Sequence, residues 1–198
     1  MRHALRSDFS TIIETWTDAF ARDPYLRWVQ PDDVAWPRFA AEWFDLILNL
    51  TFERGHTYIS ESGDAATAWI PPDLSLVGPD DFARGVEILT RHAGAERAGD
   101  AAQMIVAARA HALEEPHWTL QYIGVRSLSQ GTGLGTSITK PLLERCSRER
   151  LPCSLVSTNA ANVAFYRRLG FEIQAEVWSP DGSVALRPMV RPFQSESP

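Results

Sequence analysis

The chain has 198 residues, of which 44% are apolar, and a formal net charge of −6. This length and composition suit one domain with a sizeable core, and they exclude collagen-like and disordered chains. The acidic balance argues against non-specific binding of nucleic acid, which depends on Lys and Arg to neutralise phosphates.

Two helices are predicted in the first 55 residues. The first begins at Ser7, a suitable N-cap, and ends near Asp23 and Pro24, because the residue before a proline is pushed out of helical space. The second has Pro37 in its first turn. The segments HTYISES and AATAWIP then predict a hairpin of two short strands around residues 62–64.

Residues 71–115 predict a helical insert. The loop PPDLSLVGPDD is followed by two helical segments, DFARGVEILTRHA and AGDAAQMIVAARAHALEE. Their apolar faces are narrow and rich in alanine, which indicates helices that lie over another part of the protein instead of forming its main core.

The second half alternates strands and helices. A strand, HWTLQYIGV, precedes a glycine-rich loop and a long helix that runs to about Arg150. The strand PCSLVST, the helix NVAFYRRLG and a C-terminal hairpin that turns at residues 180–182 complete the chain. This order implies an α/β domain with a mixed sheet.

The loop QGTGLGT is the most informative stretch. It is not a dinucleotide-binding fingerprint, because Thr136 stands where the third glycine is required, and it is not a P-loop, because TSITKP follows Gly135. It fits the pattern Gln-x-x-Gly-x-Gly, with Gln130, Gly133 and Gly135, between a strand and a helix. Amides of residues 131–136 and the start of the helix can form a cradle for a pyrophosphate. Taken alone, the glycines could equally reflect a tightly packed turn.

A second motif, TNAANVAFYRRLGFEI, follows. Helical spacing puts Asn162 and Tyr166 on one face, and Gly170 is suited to cap that helix. The combination of both motifs over residues 117–175 resembles the GNAT family of N-acetyltransferases. The resemblance implies a single domain over residues 1–198, with a mostly antiparallel central sheet, two parallel strands that splay apart, and flanking helices. It also implies acetyl-CoA as co-substrate.

A closer likeness is to the puromycin N-acetyltransferase-like members of that family. It rests on EEPHWTLQYIGV, on Pro141 inside the helix after the loop, on LPCSLVSTNAANVAFYRRLGF and on the insert, which would lie over the acceptor side. The layout does not by itself fix a substrate.

The resemblance assigns roles to particular residues. Tyr166 corresponds to the tyrosine that protonates the departing thiolate, although it could also be an aromatic residue that packs beside Phe165. Gly124 is suited to a bulge in the strand before the loop. The residues expected to contact the cofactor are Ile123, Gly124, Val125, Gln130, Gly131, Thr132, Gly133, Leu134, Gly135, Thr136, Asn162 and Tyr166.

Two positions depart from the family pattern. Many relatives place a glutamate base on the strand before the loop, where this chain has Gln121, and many carry a cation at the position of Thr132. The base therefore has to come from elsewhere in the chain, from a water chain or from a backbone carbonyl. The side chains that could act as base are Glu42, Asp23, His56, His92 and Glu87.

Tyr25, Trp28 and Trp118 could form an aromatic wall for an apolar amine. The alternative for both tryptophans is ordinary core packing. No metal site is predicted, since Cys146 and Cys153 form no ligand pattern.

The sequence favours transfer of an acetyl group from acetyl-CoA to the primary amine of a small molecule, such as an aminonucleoside antibiotic or a metabolite, by direct attack in a ternary complex. The alternatives are a protein or peptide N-acetyltransferase and a CoA-binding sensor without turnover. The N-terminus lacks the apolar stretch of a secretory signal, so we expect a soluble cytoplasmic protein, monomer or homodimer, with no membrane or nucleic-acid partner.

Overall fold

A mixed sheet with helices on both of its faces organises the chain. The computed structural model describes residues 1–54, 56–72, 74 and 78–193; residues 73 and 75–77 of the predicted loop lie outside these ranges. The strands are β1 (Arg2–His3), β2 (His56–Ile59), β3 (Ala65–Ile70), β4 (Trp118–Val125), β5 (Cys153–Ser157), β6 (Glu172–Ile173), β7 (Val177–Trp178) and β8 (Ala185–Arg191). The helices are α1 (Phe9–Ala19), α2 (Pro24–Val29), α3 (Trp36–Arg54), α4 (Pro79–Ala93), α5 (Ala95–Arg109), α6 (Leu134–Glu149) and α7 (Val163–Arg168).

The strands follow the order β1-β2-β3-β4-β5-β8-β6, and β7 pairs with β8. Only the β4–β5 pair is parallel among the described pairs; the others are antiparallel. This arrangement confirms the predicted α/β class, with a mixed, mostly antiparallel sheet.

Each face of the sheet has its own core. On one face, α1, α3 and the two helices of the insert pack over the sheet through residues such as Trp16, Phe44 and Leu89. On the other face, α6 and α7 cover β4, β5 and β8, with Leu142 and Phe171 buried between them. The insert helices α4 and α5 pack on each other, on α3 and on β8, so they do lie over the main body as their narrow faces predict.

The first helix differs from the sequence prediction at both ends. It ends at Ala19 and not near Asp23 and Pro24, because Asp23 caps the separate helix α2 that Pro24 begins. Helix α5 also ends at Arg109, before the end of the predicted segment. A short turn (Arg6–Asp8) precedes α1, and Asp8 accepts a hydrogen bond of 2.7 Å from the amide of Leu5. The prediction of Ser7 as the N-cap is therefore wrong, because the carboxylate of Asp8 closes that turn. None of the helices in the described ranges combines the length and the apolar character that a membrane crossing requires.

The bulge in β4 lies at Gln121 and not at Gly124. Ala68 of β3 pairs with Tyr122, while the next residue, Trp69, pairs with Leu120, so Gln121 is the extra residue on β4. A one-residue insertion exchanges the faces to which the following side chains point. The bulge thereby turns Tyr122 toward the α1–α3 face of the sheet.

Gly124 pairs regularly with Ala66, and a different constraint explains it. A Cβ atom at Gly124 would lie 2.4 Å from Cδ1 of Trp16, whose indole occupies the space over the strand. The glycine is thus required by close packing of α1 on the sheet.

Candidate active site

The parallel strands β4 and β5 separate after a short paired segment. Their pairing begins at Trp118 and Cys153 and ends at Leu120 and Leu155, directly before the bulge. We call the space between the two strands beyond this point the β4–β5 gap.

Backbone groups at the end of β4 face this gap. The amide of Arg126 donates to the carbonyl of Asp64 at 2.8 Å, on the β3 side of the strand. Because successive amides of a strand alternate in direction, those of Ile123 and Val125 point to the opposite side. In the described ranges no strand pairs with them there, so they are available to a ligand.

The glycine-rich loop forms an open cradle at the end of the gap. Gly131 and Gly133 have positive φ angles of 76° and 86°, which glycine adopts without strain. A Cβ atom at either position would meet nothing within 4 Å, so the loop borders open space. Over the described part of the chain, the amides of residues 131–136 donate to no protein acceptor, and the first amide that does is that of Ser137.

Hydrogen bonds made by two uncharged side chains and by one carboxylate hold the loop in this shape. The side chain of Gln130 donates to the carbonyl of Val125 at 3.0 Å, and the hydroxyl of Thr132 donates to the carbonyl of Ser129 at 2.7 Å. Asp18 of α1 accepts hydrogen bonds of 2.6 Å and 2.7 Å from the amide and hydroxyl of Ser127. The free amides and the N-terminus of α6 fit a pyrophosphate, although Thr132 adds no positive charge.

Tyr166 lies at the opposite wall of the gap. It is 8% exposed, and its hydroxyl has no hydrogen-bond partner among the described residues. Burial, with a smaller contribution from the negative charge of Asp23, raises the pKa of Tyr166 above its ordinary value. Asn162 lies one helical turn earlier and is exposed, while Asn159 caps this turn by accepting from the amide of Ala161 at 2.9 Å.

Asp23 is a buried carboxylate near Tyr166. One oxygen accepts the amide of Leu26 at 2.9 Å and so caps α2, and the other accepts a hydrogen bond from the hydroxyl of Thr158, directly after β5. Desolvation raises the pKa of Asp23, although these hydrogen bonds oppose the shift. The same carboxylate contributes to the raised pKa of Tyr25 and Tyr122, so Asp23 is the negative centre of a group of three buried tyrosines.

A cavity of about 440 Å³ connects this group to the insert. One end contains Tyr25, Tyr122, Thr158, Asn162 and Tyr166. The middle is apolar and runs between α3 and the insert helices, and it is lined by Trp43, Leu46, Ile47, Gly85, Val86, Leu89, Ala102 and Ile105. Its volume lies within the range of about 300–1,000 Å³ that is typical of small-molecule sites.

Of the three predicted acceptor residues, one lines the cavity. Tyr25 contributes its ring, and its hydroxyl donates to the carbonyl of Ala101 in the insert at 3.1 Å. Trp28 instead donates its indole N–H to Asp181 at 3.0 Å, away from the cavity. Trp118 is fully buried on the α6 face, since its position before the bulge directs it there. The structure therefore brings neither tryptophan to the acceptor side.

None of the five candidate bases is among the residues that line the cavity. Three of them share a network around Arg91 on the insert: Glu42, Glu87 and His92. His56 packs against Trp118 on the α6 face, with ring centroids 5.1 Å apart. Asp23 is the candidate that the fold places beside Tyr166. His, Cys, Asp and Glu side chains of the described residues form no group of three or more that could hold a metal.

The sequence analysis did not single out Thr158, Gly85 or Arg109, which all line the cavity. Thr158 had an available signal, because it follows a parallel strand at its carboxyl end, where ligands of α/β sheets commonly bind. Gly85 and Arg109 are on the insert, and their orientation depends on how α4 and α5 dock.

The sequence matches the model of the Acetyltransferase (GNAT) family over residues 13–171. It is 31% identical over 86 residues to an uncharacterized N-acetyltransferase of Schizosaccharomyces pombe, a match that covers 42% of this chain and 35% of that protein. The match thus spans about a third of the curated relative.

Solved structures share the fold at low sequence identity. A Corynebacterium glutamicum protein described as histone acetyltransferase HPA2 and related acetyltransferase has a TM-score of 0.69 and 23% identity, over 100% of this chain and 97% of that one. Arylalkylamine N-acetyltransferase 2 of Aedes aegypti has a TM-score of 0.62 and 12% identity, over 98% of both chains.

Proposed function

This chain belongs to the acetyltransferase (GNAT) family, and from that premise we propose that it transfers the acetyl group of acetyl-CoA to the primary amine of a small molecule by direct attack in a ternary complex. The observation that carries the proposal is that the β4–β5 gap and the cavity meet at Tyr166 and Thr158, whose hydroxyl is hydrogen-bonded to the buried carboxylate of Asp23. A cofactor in the gap and an amine in the cavity would meet there, which suits direct transfer in a ternary complex.

Acetyl-CoA would supply an activated thioester. The free amides of residues 131–136 and the positive end of α6 would hold its pyrophosphate. The amides of Ile123 and Val125 would lie along the pantetheine arm, and one of them would donate to the carbonyl oxygen of the acetyl group. Asn162 would hydrogen-bond to the same arm.

Two side chains would move the protons. Asp23 would accept a proton from the amine nitrogen, because its raised pKa makes it a better base than an ordinary aspartate. Tyr166 would donate its proton to the sulfur of the departing thiolate and so release free thiol, which its unpartnered hydroxyl in the cavity permits. Thr158 would keep the carboxylate oriented through its hydrogen bond.

The cover that the insert provides over the cavity favours a small molecule over a peptide. Helices α4 and α5 cover it, whereas an extended peptide needs an open groove along the sheet. Aminonucleoside antibiotics, the substrates suggested by the puromycin N-acetyltransferase-like layout, and metabolite amines both remain within this proposal.

The test is amine-dependent release of free thiol from acetyl-CoA, measured with a panel of small amines that includes puromycin and polyamines, and with peptides. Wild type is compared with Tyr166→Phe and Asp23→Asn, and cofactor affinity is measured for each protein. Asparagine caps a helix as well as aspartate, so Asp23→Asn removes the base and keeps the cap. We expect both variants to lose about 10²–10⁴-fold in kcat with affinity for acetyl-CoA retained.

Tyr58→Phe is the matched control, because Tyr58 lies on the α6 face and does not line the cavity. Equal activity of Tyr166→Phe and wild type would contradict the acid role. Acetylation of peptides alone would favour a protein acetyltransferase, and tight cofactor binding without release for any acceptor would favour a sensor.

A further inference from the structure

The end of the cavity far from Tyr166 has a different chemistry from the rest. Its walls there come from the start of β4 and from the ends of the insert, with His117, Asp81, Arg109 and His111 among the lining residues. A strand rises about 3.3 Å per residue, and the bulge residue Gln121 does not advance it, so the distance along β4 from His117 to Tyr122 is about 13 Å. An acceptor whose amine lies near Asp23 can therefore place its other end among these polar groups.

Arg109 is the strongest charge at this end. It is the last residue of α5, and among the described residues no carboxylate lies within ion-pair distance of its guanidinium. Two other arginines of the insert are engaged, since Arg91 pairs with two glutamates and Arg97 donates to the carbonyl of Trp28 at 2.7 Å. Although Arg109 is exposed, nearby protein removes part of its hydration and lowers its pKa.

Asp81 has the opposite charge but is already engaged. It lies in the first turn of α4, and its carboxylate accepts the amide of Gly78 at 3.3 Å. An acid at a helix N-terminus is also stabilised by the helix dipole. The far end of the cavity thus presents a cation that lacks a partner among the described residues beside an anion that has one.

We propose that the acceptor carries a carboxylate or phosphate at the end opposite its amine, and that Arg109 binds this anionic group while the apolar middle of the cavity holds the body between them. This inference rests on the proposed function, and it narrows the substrate to amines with an apolar body and an anionic end. Arg109 can hold either anion by paired N–H donors, so carboxylate and phosphate belong to one chemical class here.

The test uses straight-chain amines matched in length to the cavity. Their far end is a methyl group, a carboxylate, a phosphate or a second amine. For wild type we expect kcat/KM for the carboxylate or phosphate acceptor to exceed that for the methyl acceptor by about tenfold or more. Arg109→Gln should remove this preference, so that kcat/KM for the anionic acceptors falls to about that of the methyl acceptor in the same variant, and Arg109→Lys should retain part of the preference.

Arg84→Gln is the control for loss of one positive charge on the insert, since Arg84 is exposed on α4 and does not line the cavity. It should keep the full preference. A preference for the diamine, or equal rates for all far ends, would overturn the inference.

A binding measurement separates this inference from the proposed function. Isothermal titration calorimetry with each acceptor reports occupancy of the site without turnover. If no amine is acetylated, the proposed function fails, and titration with the same acceptors still decides whether an anionic end improves binding through Arg109. If amines are acetylated and the anionic end gives no advantage in rate or binding, only the inference fails.

Discussion

Gly124 occupies a position where α1 and the sheet leave no room for a side chain. A methyl group there would lie 2.4 Å from Trp16 Cδ1 and 3.1 Å from the Cβ of Ala19. Gly124→Ala should therefore lower the free energy of unfolding by about 1–3 kcal/mol through overpacking, which chemical denaturation can measure.

Gly99→Ala is the matched control for this variant. Gly99 lies inside α5, and a Cβ atom there would meet nothing within 4 Å. Because alanine favours a helix by about 1 kcal/mol over glycine, this variant should be unchanged or more stable. A Gly124→Ala protein as stable as wild type would contradict the packing argument.

Local spacing in the sequence predicts where residues lie along a helix or loop, while the roles assigned to them stay predictions. The position of Tyr166 four residues after Asn162 and the two left-handed glycines of the loop follow from nearby residues. The sequence does not rank Asp23 above the other candidate bases, because its proximity to Thr158 joins positions 135 residues apart. Contacts of that kind depend on how the helices dock.

Helix α4 contains a glycine that keeps the cavity open. Gly85 is buried between α3 and the cavity, and a Cβ atom there would lie 3.8 Å from Leu46 and 3.9 Å from Trp43. Gly85→Leu should fill the middle of the cavity. We expect acetylation of long acceptors to fall by about tenfold or more, the scale of discrimination that such steric changes give, with short amines less affected.

Gly85→Ala is the comparison for this prediction, because its single methyl makes only ordinary contacts. Thermal unfolding should show that both variants fold, since alanine and leucine are better helix formers than glycine. Parallel losses for short and long acceptors in Gly85→Leu would show that the substitution disturbs more than the cavity.

Strand β4 shows why the position of a strand can be predicted while the face of the sheet to which each side chain points cannot. The segment HWTLQYIGV predicts a strand, and the structure has one at Trp118–Val125. The extra residue, Gln121, reverses the face to which all later side chains of the strand point. The alternation of polar and apolar side chains in the sequence does not indicate the position of this extra residue. Trp118 and Tyr122 therefore lie on opposite sides of the sheet.

Asp23 connects the site to the stability of the whole molecule. The pKa of Asp23 is raised in the folded state. At pH values between its unfolded-state and folded-state pKa, the folded protein therefore keeps a proton on Asp23 that the unfolded protein has released. The stability contribution is complete below the unfolded pKa, about 3.9, and is lost as the pH rises through the folded value. Asp23→Asn should raise the Tm at neutral pH, and this gain should shrink at about pH 4.

Asp8 provides the control of opposite sign. Its hydrogen bond with Arg2 lowers its pKa to about 2, so its contribution is present above the unfolded pKa and is lost as the pH falls through the folded value. Asp8→Asn should thus lower the Tm at neutral pH, with a smaller effect in acid. A fall in Tm for Asp23→Asn at neutral pH would mean that its hydrogen bonds outweigh its desolvation.

At the scale of the molecule, the order of helices and strands and the mixed sheet are predictable from hydrophobic periods and turn residues. The cavity is not, because it forms where the α1–α2 junction, the insert and the end of β5 meet. The sequence of each of these segments shows no pattern that indicates a cavity, and the cavity takes its shape only when the segments pack together.

The bulge at Gln121 also has an evolutionary consequence. An additional backbone residue marks the point where the strands part, whatever its side chain, so point substitutions along β4 leave this insertion in place and only a deletion removes it. The walls of the cavity come from other segments and can change independently of the insertion. Under the proposed function, descendants of this chain can therefore acquire new acceptors by mutation of the insert while they keep the binding site of one common donor.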